Sequence, residues 1–331
     1  MPNLSDVISA LEELYPPRWA ESWDAVGLVC GDPEAQVSRV LFAVDPVQTV
    51  VDEAVEWGAD LVVTHHPLYL RGTTSVAATG FKGRVVHGLI RAGIALHVAH
   101  TNADHADPGV SDALAEAVGL RVLGPLIADP TDPSGRRGTG RIGVLEPPLT
   151  LSAFAAQVAA GLPATAAGVR VAGDADRLIS RVAVCGGSGD SFFAEVRAAG
   201  VDAYVTADLR HHPASEATET APVALLDAAH WATEWPWLKL AAAGLGAAAD
   251  KHGWQLETRI SHRVTDPWTA VAPMTRIPLA GTSAADAVAA DALATGGVAT
   301  EAAATATGAP VTSSTPVAGD GPRGEDVPPL R

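Results

Sequence analysis

Cysteine is scarce in this chain of 331 residues, with only Cys30 and Cys185 and no Cys-x-x-Cys pair. That excludes a disulfide framework and argues against a thiolate zinc clamp, leaving both thiols as small buried hydrophobes. Basic residues are outnumbered, 22 Lys and Arg against 38 Asp and Glu, for a formal net charge of -16. A general nucleic-acid-binding surface is thereby disfavoured, while cation binding fits. No apolar run reaches the roughly 20 residues that a bilayer-spanning helix needs. The opening Met-Pro-Asn-Leu-Ser-Asp6 has neither the basic nor the apolar region of a secretory signal, so a cytoplasmic location is expected. Large apolar side chains thin out in the final stretch, 276–331, where Ala, Thr, Gly, Pro and Ser dominate. Such a tail buries too little surface to offset its ordering entropy. It is expected to be disordered, with a transient helix over Ala285–Ala294.

The remainder is 47% hydrophobic and 18% charged over the whole chain, ordinary for a soluble globular protein of one or two domains. Asp60-Leu-Val-Val-Thr-His65-His66-Pro67 is its focal stretch. Three apolar β-formers read as a short buried strand, and Pro67 ends regular pairing. Two histidines therefore lie where a strand runs into a loop, the usual place for a site in an α/β sheet. Neighbouring strand residues point to opposite faces. Both rings serve one site only if the backbone turns, or if each holds a different member of a metal pair.

Residues 3–15 read as an amphipathic helix that Ser5 could cap, Val40–Val44 as a strand, and Val47–Trp57 as a helix capped by Gly58. With the focal strand this makes a β–α–β unit with a parallel pair. Phe81–Arg91 (helix), Ile94–Ala99 (strand) and Asp112–Gly119 (short helix) follow. Pro, Gly, Asp and Thr dominate Gly124–Arg141, so this part reads as a connector. A strand over Arg141–Leu145 and a helix over Leu151–Gly161 come next. Ser38-Arg39-Val40 recurs as Ser180-Arg181-Val182, and Gly58-Ala-Asp-Leu-Val-Val-Thr64 as Gly200-Val-Asp-Ala-Tyr-Val-Thr206. Both share an offset of 142 positions, from 38 to 180 and from 58 to 200. The spacing predicts an α/β fold of two similar interlinked lobes, with mixed sheets flanked by helices. The first lobe spans 1–123, a connector with a strand and a helix 124–177, and the second lobe 178–275.

Leu96-His-Val-Ala-His100 lines up with Leu226-Asp-Ala-Ala-His230, and His100-x-x-x-Asp104 with His230-x-x-x-Glu234. In a helical turn such an i, i+4 pair shares a face and converges on one ion. His65-His66 corresponds to Ala207-Asp208, so the site need not be symmetric. A lone histidine is ordinarily structural, the reading for His87, His97, His105, His252 and His262. His65, His66, Asp104, His230 and Glu234 are the metal candidates, suited to two divalent ions of Zn, Fe, Mn or Co. His100 is either a ligand or the partner that orients one. His211 and His212 are candidates for substrate or acid–base work. Cys185-Gly186-Gly187-Ser188-Gly189-Asp190 lies between a strand and a helix. Its N–H groups could hold a phosphate, or it is a tight turn with a helix cap.

These motifs together resemble the GTP cyclohydrolase I type 2 or Nif-three-like family. The matching pieces are Trp23-Asp24-Ala-Val-Gly27-Leu, Asp45, Thr64-His65-His66-Pro67, His100-Thr101-Asn102-Ala-Asp104, Gly186-Gly187-Ser188-Gly189, Thr206-Ala-Asp208 and His230-Trp-Ala-Thr-Glu234. The resemblance implies a dinuclear metal site on His65, His66, Asp104, His230 and Glu234, in a ring-shaped homohexamer with sites facing an internal cavity. It implies the short form, without the domain that some members carry mid-chain. The implied chemistry is metal-assisted hydrolysis, with water attacking guanine C8 of GTP or a phosphoester. His212 or Asp45 would move protons, and Gly186, Gly187 and Ser188 would hold the triphosphate. Where the family more often has an aromatic before its histidine, this chain has Arg210-His211-His212, and His212 is the better match. The alternative is a non-catalytic metal-handling scaffold.

Overall fold

Two aspartates 142 residues apart anchor the two halves in the same way. Asp60 Oδ2 accepts from the Ser38 N–H (2.7 Å), the Ser38 hydroxyl (2.8 Å) and the Arg39 N–H (2.9 Å). Asp202 Oδ2 accepts from the Ser180 N–H (3.0 Å) and the Arg181 N–H (2.9 Å). Each carboxylate satisfies backbone donors at the start of one strand from the start of the next, which explains why Ser-Arg and Gly-x-Asp recur together.

The computed structural model of the chain describes residues 1–272. The tail over 276–331, with its expected helix at Ala285–Ala294, lies outside the described residues. The chain opens with α1 (Leu4–Leu14), whose capping residue is Asn3 rather than the expected Ser5. Asp6 accepts the Asn3 N–H at 2.9 Å and closes the turn. Strands β1 (Gly27–Cys30) and β2 (Arg39–Ala43) follow, then helix α2 (Gln48–Trp57) and strand β3 (Leu61–Thr64). Gly58 ends α2 at φ 71°, as its sequence position suggested. Helix α3 (Phe81–Ala92), strand β4 (Ala95–Val98), the single turn α4 (Thr101–Asp104) and helix α5 (Val110–Ala117) complete the first half.

The second sheet takes two strands from before Leu178. They are β5 (Arg121–Ala128), where no strand was expected, and a 13-residue β6 (Gly138–Thr150), which extends the strand expected over Arg141–Leu145. Gly124 and Pro125 hide β5 from a sequence reading. Pro125 is tolerated because β5 is the edge of its sheet. Helix α6 (Leu151–Gly161) and strands β7 (Arg170–Ala172) and β8 (Leu178–Ser188) come next. Helix α7 (Phe193–Ala199), strand β9 (Ala203–Ala207), helix α8 (His211–Thr220), strand β10 (Ala224–Ala228), the long helix α9 (His230–His252) and strand β11 (Glu257–Ile260) finish the fold.

The sheets run β1-β4-β3-β2-β11 and β5-β6-β8-β9-β10-β7. In each, three central strands are parallel and joined through helices, β2-β3-β4 in one and β8-β9-β10 in the other. In each, an antiparallel edge strand lies beside the third, β1 on β4 and β7 on β10. The other flank differs, since β11 lies parallel to β2 whereas β6 runs antiparallel to β8. Both sheets are therefore mixed, in two similar α/β halves. One core joins them, in which α9 packs against both sheets, α1 against the first and α5 and α6 against the second, with Phe42, Phe154, Val205, Trp237 and Leu245 buried. Fully burying one such side chain contributes about 1.5–3 kcal/mol.

Candidate metal centre

The C-terminal ends of the parallel strands face this shared core, and the chain turns there at His65 and His66. The turn is fixed by backbone bonds from His65 N to Ala43 O (3.2 Å) and from His66 N to Val44 O (2.9 Å), with the Thr64 hydroxyl donating to His66 O (2.9 Å). Both rings consequently serve one cluster, with centroids 5.2 Å apart. His65 is wholly buried and packs on Trp237 at 5.3 Å.

Four imidazoles converge, and each has its Nδ1 held from behind. His65 Nδ1 lies 3.0 Å from Ala99 O, and His66 Nδ1 lies 2.7 Å from Asp45 Oδ1. His100 Nδ1 lies 2.9 Å from Asp24 Oδ1, and His230 Nδ1 lies 2.7 Å from Asp208 Oδ2. This outer bond puts the proton on Nδ1 and leaves Nε2 as a lone-pair donor toward the cluster. Asp24 also takes the Thr101 N–H (3.0 Å) and hydroxyl, which fixes α4 against the loop before β1. Glu234, 3% exposed, stands in the middle. Its oxygens lie 2.9 Å from His230 Nε2, 3.0 Å from His66 Nε2 and 3.4 Å from His65 Nε2. Asp104 Oδ1 lies 3.8 Å from His65 Nε2.

The charges show what the cluster needs. Burial works against a charged Glu234, yet His230, His66 and His65 hold it well below the usual carboxylate range. Burial likewise works against a charged His66, but Glu234 and Asp45 outweigh it and raise its pKa to about 10. Glu234, acting against burial and helped by Asp208, raises His230 to about 11. His65 is also raised, with Glu234 and Asp104 overcoming its burial, while burial raises Asp104 itself. Protons supply the positive charge that the carboxylates demand, and divalent cations would supply the same. Among the described residues His65 Nε2 is buried without a hydrogen-bond partner, a cost that coordination removes. Among the same residues two groups have ligand atoms all within 4.8 Å, His65/His66/His100 and His66/His230/Glu234. The residues therefore fit a metal, with His66 common to both groups.

A family model described as Duf34/NIF3 (NGG1p interacting factor 3) matches residues 2–267. The chain belongs to the DUF34/NIF3 family. A Streptomyces coelicolor protein named GTP cyclohydrolase 1 type 2 homolog is 67% identical over 270 residues, covering 82% of this chain and 95% of its own length. A Mycobacterium bovis protein of the same name is 41% identical over 370 positions, covering 80% of this chain and 96% of its own length. That alignment is longer than this chain's 331 residues, so the mycobacterial relative carries sequence that this one lacks. A Staphylococcus aureus hypothetical protein superposes with a TM-score of 0.74 at 28% identity, covering 81% of this chain and 99% of its own.

In this DUF34/NIF3 chain His65, His66, His230 and Glu234 lie together with His100, while Asp104 stands beside His65 outside both ligand groups. It does not bring in His212, which lies exposed on the first turn of α8 with its ring 5.1 Å from that of His211. Asp45 reaches the cluster only through His66, and its other oxygen accepts from the Thr265 hydroxyl. The glycine stretch is close to the site but is not an open anion cradle. The Gly186 N–H donates to Ser111 Oγ (3.3 Å), the Gly187 N–H to Thr233 Oγ1 (2.9 Å) and the Gly189 N–H to Ala207 O (3.4 Å). Gly187, at φ 69°, provides clearance, because a Cβ there would lie 2.4 Å from Glu234 Oε1 and 3.1 Å from His230 Nε2. His105 is structural, bonded to Trp19 O (2.9 Å) and the Thr139 hydroxyl (3.0 Å). His97 is buried, which lowers it to about 4 and keeps it neutral.

Sequence reasoning missed the orienting roles of Asp24 and Asp208. The repeat carried a signal for Asp208, which occupies the position of His66 and takes φ 58°, a left-handed conformation that costs a non-glycine residue about 1–2 kcal/mol. The cluster opens on two sides. One cavity of about 610 Å³ reaches it past His66 and His230, the other of about 480 Å³ past His100, Asp104 and Gly187. Among the described residues no helix is long and apolar enough to cross a membrane.

Proposed function

We propose that this DUF34/NIF3 protein holds two divalent cations (Zn, Fe, Mn or Co) between its sheets and hydrolyses a nucleotide or phosphoester. The single observation that supports this best is the common orientation of four imidazoles, Nδ1 tethered and Nε2 inward, around a buried carboxylate. His65, His66, Asp104, His230 and Glu234 would be the ligands of this reading. A cation held there supplies Lewis-acid chemistry and activates water for attack. The chain's own residues do the rest. Asp24, Asp45, Asp208 and the Ala99 carbonyl hold the rings in register, and Trp23 edges His100 at 6.1 Å on the mouth of one cavity. The relatives' name makes ring opening of GTP at guanine C8 one candidate hydrolysis. A cytoplasmic homohexamer whose sites face an internal cavity belongs to the same reading.

A second reading, a metal-handling scaffold, has its own support. The two groups expected to move protons are engaged or remote, Asp45 bonded to His66 and Thr265, and His212 exposed on α8. One experiment separates the two. Metal content and turnover are measured on metal-loaded protein and on His65→Ala, with GTP and a phosphodiester panel. Turnover that disappears with the metal in His65→Ala supports the hydrolase. Bound metal with no turnover under any of the four ions supports the scaffold. Unchanged metal content in His65→Ala overturns the ligand assignment.

A further inference from the structure

The larger cavity beside His66 and His230 contains a group that the metal reading does not use. Asp266 lines it, only 9% exposed, and among the described residues its Oδ2 is buried with no hydrogen-bond partner. The other acidic side chains on that wall are engaged, Asp45 by His66, Asp208 by His230 and Asp227 by Arg170. Asp266 belongs to neither group of metal-competent ligands. Its position is fixed, because the segment before it is tied down three times. Ser261 N donates to Phe42 O (2.8 Å), Trp235 Nε1 to Ser261 O (2.9 Å), and the Thr265 hydroxyl to Asp45. A buried carboxylate oxygen held in place without a donor is costly unless a ligand brings one. Two residues on, Trp268 lines the same cavity with 69% of its surface exposed, an open indole face that suits a flat ring.

We propose that this cavity recognises a planar heterocycle with paired N–H donors on one edge, read by the Asp266 carboxylate and stacked on Trp268. The inference rests on the metal reading for what happens to the ligand, and not for its binding.

The test is equilibrium binding of guanosine and inosine to the full chain by calorimetry, with metal content measured on the same samples. Guanosine has a ring N–H and an exocyclic amine on one edge, and inosine lacks the amine. Guanosine should bind more tightly than inosine. Asp266→Asn should lose guanosine affinity roughly 10- to 100-fold and most of that preference, since a charge-assisted bond is removed. Trp268→Leu should weaken both nucleosides alike, by about tenfold. Metal content should stay unchanged in both variants. Equal affinity for the two nucleosides, no guanosine binding by the unaltered chain at millimolar concentration, or full guanosine affinity in Asp266→Asn each overturns the proposal. If Asp266→Asn fails to fold, the guanosine-to-inosine ratio of the unaltered chain decides alone. Failure of the metal reading looks different, since it shows as full metal content in His65→Ala whatever the nucleosides do.

Discussion

The two β–α–β–α–β halves have one scaffold and two chemistries. The first places His65 and His66 after β3, whereas the second places Ala207 and Asp208 after β9. His66 faces the cluster, and its counterpart Asp208 stands behind the cluster and holds His230. After β4 comes a single turn begun by His100, and after β10 comes the 23-residue α9 begun by His230. Asp60 and Asp202 keep one role, because each accepts from the backbone donors of a Ser-Arg pair on the neighbouring strand. The comparison teaches that strand-end residues are free to change roles once the strands are anchored. A duplicated frame can thus carry ligands on one side and orienting carboxylates on the other.

Removing the shared centre should have the largest effect. Glu234→Ala leaves His65, His66 and His230 without their common counter-charge, and breaking such a buried set costs about 3–5 kcal/mol. Denaturant unfolding of chelator-treated protein should show that loss, and elemental analysis should find less metal per chain. Unchanged stability would mean that Glu234 does not unite the halves.

Next come the matched anchors. Asp60→Ala and Asp202→Ala should each lower stability by about 1–3 kcal/mol, with Asp60 the costlier because it also holds the Ser38 hydroxyl. Comparing the two denaturation midpoints checks the order, and a larger loss for Asp202→Ala would undo the equivalence. Smaller again is the effect of orientation. Asp45→Asn and Asp208→Asn should each weaken metal affinity roughly 10- to 100-fold by competition titration. A neutral result for Asp208→Asn alone would show that the halves contribute unequally.

Acidity sharpens the comparison further. In metal-free protein His66 and His230 are raised from 6.5 to about 10 and about 11. Their stabilisation is fully present below about 6.5 and is lost as pH rises through those raised values. Glu234, held low, contributes in the opposite sense, with its share lost on acidification below its ordinary 4.5. The thermal midpoint of metal-free protein should therefore fall as the solution becomes strongly alkaline. Metal-loaded protein, whose imidazoles have already released their protons, should not show that fall. A metal-free midpoint that is flat across this range would contradict the raised imidazoles. The smallest effect belongs to His212→Ala, which should shift stability by no more than about 0.5 kcal/mol and leave metal content unchanged.

Much of this was legible in the residues. Periodicity located α2, β3, α3 and β4 within a residue or two, because buried apolar patterning is local. The constant offset reveals the duplication, and the i, i+4 spacing of His230 and Glu234 puts both on one helix face. β5 was not legible, since an edge strand tolerates Gly124 and Pro125. The glycine stretch read equally as an anion cradle or as a tight turn with a helix cap, because sequence does not show which N–H groups are already bonded.

The sequence by itself determined the two parallel frames and the residue types able to hold a metal, since strand, helix and ligand identity are written in local pattern. Tertiary contacts alone bring His100 into the cluster through Asp24, set Asp208 behind the His230 ring and, among the described residues, leave Asp266 Oδ2 buried without a partner. Those facts depend on which distant segments meet. Asp45, Asp208 and Asp266 line one cavity from three separate loops, and no spacing along the chain records that meeting.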